Sequence, residues 1–291
     1  MRSSKRATIW LAIAGCVLIA AAPSGQGRGG RGGPRPRKTV LIWADTRNGI
    51  AQHESVSHAM SVIERLGYES GAYDSFIRTD SNIISKTPQM TSGQPASGGP
   101  SLASVDAIFF LGHRDVPIDD KQKAELLAFV RDDGKGFVAA HTATTAFLDW
   151  PEFGEMIGGR YDGHPWGSAA GTVINEDPAF PATKHFGAAP FPFTDEFYQA
   201  KDYSREKIHV LLRLDVSKMA PNQDVHRTDG DFPLVWAKTY GKGRVFYSAL
   251  GHAASTWDNR DVQVMYLEAL KWALGMTEGD ATPRAFPGSA K

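Results

Sequence analysis

A flavodoxin-like, doubly wound α/β domain with a mainly parallel sheet is the fold class this sequence predicts, and three observations carry the prediction. The runs Thr39 to Ala44, Val105 to Leu111 and Phe137 to Ala140 are apolar and almost unbroken, as strands covered on both faces must be. Segments with helical apolar spacing separate them. Each run also ends in a polar loop, and in an open parallel sheet ligands bind beyond the carboxyl ends of the strands.

The elements follow in order. After the first strand, Val56, Met60, Ile63 and Leu66 repeat at helical spacing, and Gly67 is the expected stop. Tyr68 to Tyr73 reads as a weaker strand, and Thr87 to Pro100, rich in Ser, Gly and Pro, as a long surface loop. Asp119-Asp120 opens a second helix with Leu126, Leu127 and Val130 on its buried face, closing near Gly134. The strand Gly136 to Ala140 then runs into His141-Thr142-Ala143-Thr144-Thr145. α/β hydrolases hold their nucleophile at such a strand-to-helix elbow, and here a base or metal ligand stands in its place. Beyond Gly158, strands are expected at Gly171 to Asn175, Ile208 to Leu212, Leu234 to Lys238 and Arg244 to Ala249, with a last helix from Val262 to Leu274. Arg244 is expected to pair with an acid in the core.

The first 38 residues stand apart. Arg2, Lys5 and Arg6 precede the apolar run Ala7 to Ala22, the layout of a secretory signal, so an exported protein, periplasmic or extracellular, is expected. The run falls short of the roughly twenty residues a membrane span needs. Ile13-Ala14-Gly15-Cys16 has the look of a lipoprotein box, so membrane attachment is expected only through lipidation at Cys16. Residues 23–38 form a Gly/Arg/Pro tract that cannot bury apolar surface and read as a disordered tether. The domain proper spans 39–275, and 276–291 is a C-terminal tail.

The chain balances 32 basic against 32 acidic residues, but its first 38 residues hold eight basic and no acidic ones. The remainder carries a net charge of minus eight, which disfavours nucleic acid as a partner. Cys16 is the only cysteine, so the domain has neither a disulfide nor a thiol nucleophile.

A series of motifs in order resembles the trehalose-utilisation (ThuA-like) family. It comprises Gln52-His53-Glu54-Ser55, the element from Gly136 to Ala146, Trp150-Pro151-Glu152-Phe153, and Gly158-Gly159-Arg160-Tyr161-Asp162-Gly163-His164-Pro165. Thr194-Asp195-Glu196-Phe197-Tyr198, Asp231 to Trp236, and Gly241 to Tyr247 running into Gly251-His252 and Trp257 complete it. The resemblance implies a class I glutamine amidotransferase-like fold and a link to sugar utilisation. The amidotransferase nucleophile is missing, so glutaminase activity is not expected. Phe180 stands where members often carry His.

His53, His113, His141, His164 and His252 lie in loops after strands or within those motifs, and such clustering serves either acid/base work or a metal. His53 and His58, five residues apart, lie about 140 degrees apart on a helix and cannot share one ion. On an extended segment only one of Asp195 and Glu196 can face a site, while the other braces a loop. The candidate catalytic residues are His141, Glu196 and His53. Candidate substrate contacts are His113, Asp195, Tyr198, Trp257 and Trp166, the tryptophans because aromatic rings suit sugar faces. Candidate metal ligands are His141, His164 and His252, with a divalent ion such as Zn as the cofactor they suit. The expected partner is a small carbohydrate, and a homo-oligomer is compatible with the sequence. The expected activity is isomerisation or elimination of a keto-sugar, or metal-aided hydrolysis. A carbohydrate-binding or interaction module without turnover is the alternative.

Overall fold

A computed structural model describes residues 37–287 except Thr91 and Asp115. The expected signal at 1–22 and nearly all of the Gly/Arg/Pro tract lie outside the described residues. Lys38 already opens the first strand and Arg37 pairs with Asp74, so the domain begins slightly before residue 39.

The strand β1 (Lys38–Trp43) pairs in parallel with β2 (Tyr73–Arg78) on one side and β3 (Ala107–Phe110) on the other. Next come β4 (Gly136–Ala140) and β11 (Gly243–Ser248), also parallel. The three apolar runs are therefore adjacent, and the side chains of β3 and β4 are fully buried. The other half of the sheet is antiparallel: β10 (Pro233–Tyr240), β9 (His209–Leu214), β6 (Ser168–Asn175) and β7 (Phe191–Glu196) follow β11 in that order. A two-stranded ribbon, β5 (Arg160–Tyr161) with β8 (Ala200–Lys201), stands apart from it.

Helices cover the parallel half. The helix α1 (Ser55–Ser70) packs with α4 (Ala254–Asp258) and α5 (Arg260–Ala273), while α2 (Asp120–Arg131) packs with α3 (Pro151–Ile157). Asp119 caps α2 by accepting from the Gln122 N–H at 2.8 Å, and the Gln122 side chain accepts from the Asp119 N–H at 3.0 Å. This reciprocal box satisfies two orphan donors, and such a cap contributes about 1 kcal/mol. Leu126, Phe129 and Val130 form the buried stripe; Leu127 falls just off it and is only partly covered.

Gly67 does not stop α1. The helix continues to Ser70 and Gly71 closes it in the left-handed region at φ 67°, so Tyr68 to Ser70 are helical and the strand starts at Tyr73. Gly67 is there for close approach: a Cβ would lie 2.2 Å from the Tyr73 ring, whose hydroxyl donates to the Ile63 carbonyl at 2.7 Å. Arg244 likewise departs from expectation. It meets Glu278, an exposed acid, at 3.0 Å and donates to the Trp272 and Thr277 carbonyls, closing the end of α5. The described part of the C-terminal tail is packed: Trp272 donates to the Gly279 carbonyl at 3.1 Å, and Thr282 accepts from buried His209 at 2.6 Å.

Candidate metal centre

The elbow after β4 is a 3-10 turn, His141–Thr145, every residue of which is buried. His141 starts it with φ 41°, a conformation that a non-glycine residue adopts only under constraint. The constraint is visible. Its carbonyl accepts from the Tyr247 hydroxyl at 3.0 Å, and its Nδ1 donates to the Ala249 carbonyl at 2.6 Å. With the proton fixed on Nδ1, the lone pair of neutral His141 is on Nε2, which is buried and has no hydrogen-bond partner.

His252 arrives from the loop after β11. Gly251 at φ 145° carries the chain so close to the elbow that a Cβ there would lie 2.9 Å from the Trp257 ring and 3.3 Å from the His141 Cβ. His53 comes from the loop between β1 and α1, and the Ser55 hydroxyl ties that loop to the His252 carbonyl at 2.8 Å. The His53 ring meets those of His252, His141 and His113 edge-on at 4.8, 5.1 and 5.4 Å.

Glu196 ends β7. Its Oε2 lies 3.0 Å from His252 Nδ1, 3.4 Å from His141 Nε2 and 3.8 Å from His53 Nε2. These four ligand atoms lie within 4.8 Å of one another and are of the nitrogen and oxygen types that Zn takes. His252 Nδ1 is, like His141 Nε2, buried without a hydrogen-bond partner. A cation among them would satisfy both orphaned nitrogens at once, so the donor set fits one divalent ion held by His53, His141, His252 and Glu196.

Electrostatics favour the ligating forms of two of these donors, His252 and Glu196. Burial lowers the pKa of His252 more than Glu196 raises it, favouring the neutral ring. Burial opposes ionisation of Glu196, but the imidazoles of His141 and His53, followed by the charges of His252 and His164, outweigh it and hold the group below the usual carboxylate range. His113 is also kept neutral, pushed down to about 4 by burial, then by His53 and Arg114.

The expected residues divide clearly. His53, His141, His252 and Glu196 converge, while His164 stands on the other carboxylate oxygen, its Nδ1 3.6 Å from Oε1, and is nearly half exposed. It is outside the group of four, since its carboxylate contact is with Oε1 rather than with the Oε2 that the other histidines share. Tyr198 is buried by burial-driven packing against the cluster, stacked on the His141 ring at 4.2 Å, and its phenol pKa is raised. Asp195 is turned toward the protein's own donors. Its two oxygens accept from the backbone N–H groups of Glu196, Gly251 and His252 and from the Thr256 hydroxyl, which leaves it bracing the loop that presents His252. Trp257 is core, buried and stacked on Tyr266 at 4.9 Å, with its N–H on the Gly251 carbonyl. Trp166 donates to the Ala220 carbonyl at 2.8 Å and leans on Phe232, an arrangement that serves packing.

Tyr161 and Arg114 were not singled out by the sequence. Tyr161 meets Tyr198 edge-on at 4.7 Å and His164 at 6.0 Å, extending the aromatic wall that Tyr198 begins. Its position in the Gly-Gly-Arg-Tyr motif was the available signal.

The family model for ThuA, described as trehalose utilisation, matches residues 39–273. No curated protein matches the chain. Among solved structures, a ThuA-like protein from Bacteroides uniformis ATCC 8492 is 22% identical with a TM-score of 0.64, covering 87% of this chain and 95% of that one. A second, from Parabacteroides merdae ATCC 43184, is 20% identical with a TM-score of 0.62 over the same shares of the two chains. At these identities the likeness speaks for the fold.

Proposed function

The chain belongs to the ThuA, trehalose-utilisation family, and from that premise we propose that it is an exported, metal-dependent enzyme acting on a sugar or keto-sugar derivative as a lyase, isomerase or hydrolase. The observation that carries this reading is the convergence of His53 Nε2, His141 Nε2, His252 Nδ1 and Glu196 Oε2 with two buried nitrogens left unpartnered. A bound divalent ion supplies a Lewis acid for a carbonyl or water oxygen.

The protein residues take separate roles. Glu196 and the three imidazoles hold charge and geometry. His164, exposed on the Oε1 side, is placed to take or give a proton at its ring nitrogen. Tyr161 and Tyr198 offer aromatic surface of the kind that packs against sugar C–H faces. A glycosidase of the paired-carboxylate type is disfavoured, because such enzymes need two carboxyl groups facing the substrate and Asp195 is committed to loop donors. Export rests on the leader sequence alone.

The test is the metal content of the purified protein together with turnover of keto-disaccharides. The expected result is about one equivalent of a divalent ion and activity lost on chelation. Sugar binding with no stoichiometric ion and no turnover would instead favour a carbohydrate-binding module.

A further inference from the structure

Among the described residues, the nine-stranded sheet ends on β2 at one side and on β7 at the other, and the two edges are built differently. The strand β7 carries Pro192 in its middle, and proline lacks the N–H that another strand would pair with. By contrast β2, Tyr73-Asp74-Ser75-Phe76-Ile77-Arg78, has no proline, no lysine and an unbroken register along β1. None of the usual blocks to edge pairing stands on it.

The open side of β2 follows from its ladder. Arg78 lies opposite Trp43, and its carbonyl accepts from the Ala44 N–H at 3.2 Å, so the backbone groups of Arg78 are turned toward β1. That direction alternates along a strand. Asp74 and Phe76 therefore also face β1, while Ser75 and Ile77 point their N–H and C=O groups away from it. Among the described residues, no hydrogen bond reaches the main-chain groups of Ser75 or Ile77 on that side. Phe76 and Ile77 are neighbours whose side chains point to opposite faces of the sheet, yet they are 46% and 44% exposed. What is uncovered is the edge itself rather than one face.

We propose that this edge binds a second copy of the chain, β2 against β2 in antiparallel register about a two-fold axis through Phe76. Charge complementarity selects both the occupant and the register. With Phe76 opposite Phe76, Asp74 of each copy stands opposite Arg78 of the other, on the same face as the two rings. A shift of two residues either way sets Asp74 or Arg78 against Phe76 and loses both charge pairs. Asp74 and Arg78 have partners in their own chain, Arg37 at 3.2 Å and Asp80 at 2.7 Å, but neither is buried by them. In the same register Ser75 of each copy exchanges both N–H···O bonds with Ile77 of the other, using the groups that β1 leaves free. The interface is self-complementary, as a two-fold dimer requires.

The experiment is sedimentation of the purified chain over a concentration series, comparing the wild type with S75P, D74R, R78D and the double variant D74R/R78D. The wild type should form a dimer. Ser75→Pro removes an N–H that β1 does not use, at a position where an edge strand accepts proline, so this variant should keep its circular dichroism spectrum and sediment as a monomer. Each single charge reversal sets like charges opposite one another twice across the axis and should weaken association at least about tenfold. The double variant restores opposite charges and should recover the wild-type association. A wild type that stays monomeric at every concentration overturns the proposal, as does a dimer that S75P leaves intact or a folded double variant that fails to associate. Circular dichroism checks the fold of each variant, and S75P decides the matter should a charge variant unfold.

Discussion

His252 Nδ1 stands 3.0 Å from Glu196 Oε2, and the backbone N–H groups of these two residues donate to the same oxygen of Asp195, at 3.2 and 2.9 Å. One carboxylate thus fixes the backbones that present two of the four side chains of the candidate metal centre.

Replacing Asp195 with Ala therefore leaves three backbone N–H groups and the Thr256 hydroxyl without an acceptor in a buried region. Stability should fall by about 1–3 kcal/mol. Metal affinity should fall roughly 10–100-fold, as for other supports behind a ligand shell. Denaturant melts and metal titration check the two effects separately. An unchanged metal affinity would mean that the loop holds His252 without Asp195.

Glu196→Gln keeps the shape of the side chain and removes its charge. Ion occupancy should drop by at least about tenfold, because a neutral amide is a far weaker ligand than a carboxylate. The apo protein should also lose some stability near neutral pH, because the lowered pKa shows that the fold favours the ionised carboxylate. Competitive titration against a chelator reads the affinity, and retention of wild-type occupancy would exclude Glu196 as a ligand.

His113 gives a pH dependence with a definite sign. Its folded pKa of about 4 lies below the value of about 6.5 in an unfolded chain. Between those values the unfolded state binds the extra proton, so this group's contribution is complete above about pH 6.5 and is lost as pH falls towards 4. His113→Asn should therefore flatten the loss of melting temperature between about pH 7 and about pH 4.5 relative to the wild type. An identical slope in both proteins would show that His113 is not held neutral.

Gly67→Ala tests the account of α1. Alanine ordinarily favours a helix interior, but here its Cβ would sit 2.2 Å from the Tyr73 ring. A destabilisation of about 1–3 kcal/mol is expected in thermal or denaturant melts, and stabilisation would contradict the packing.

The parallel half of the sheet was legible because strands buried on both faces must be apolar throughout, as Val105 to Leu111 and Phe137 to Ala140 are. The end of α1 was not, since Gly67 answers to Tyr73 across a turn rather than to its own backbone. In the site, period-two alternation separates Asp195 from Glu196, and the structure sets Asp195 on four donors of the protein while Glu196 meets the histidines, whereas in the sequence Asp195 also looked available to a substrate. The membership of the cluster depended on how loops fold back. His164 falls on the far oxygen of Glu196 while His53 joins the near one, a distinction that no local pattern encodes. Arg114 gave no signal because its distinguishing property, a left-handed backbone at φ 59°, exists only in three dimensions.

The central claim is that three imidazoles and one carboxylate hold a single ion, and X-ray absorption at the Zn edge of the loaded protein tests it most directly. The expected spectrum shows three imidazole nitrogens at about 2.0–2.1 Å and an oxygen at about 2.0–2.2 Å. In His252→Ala one nitrogen should disappear. A Zn ion with one imidazole or none in its shell, or a protein that takes up no stoichiometric ion, would contradict the account.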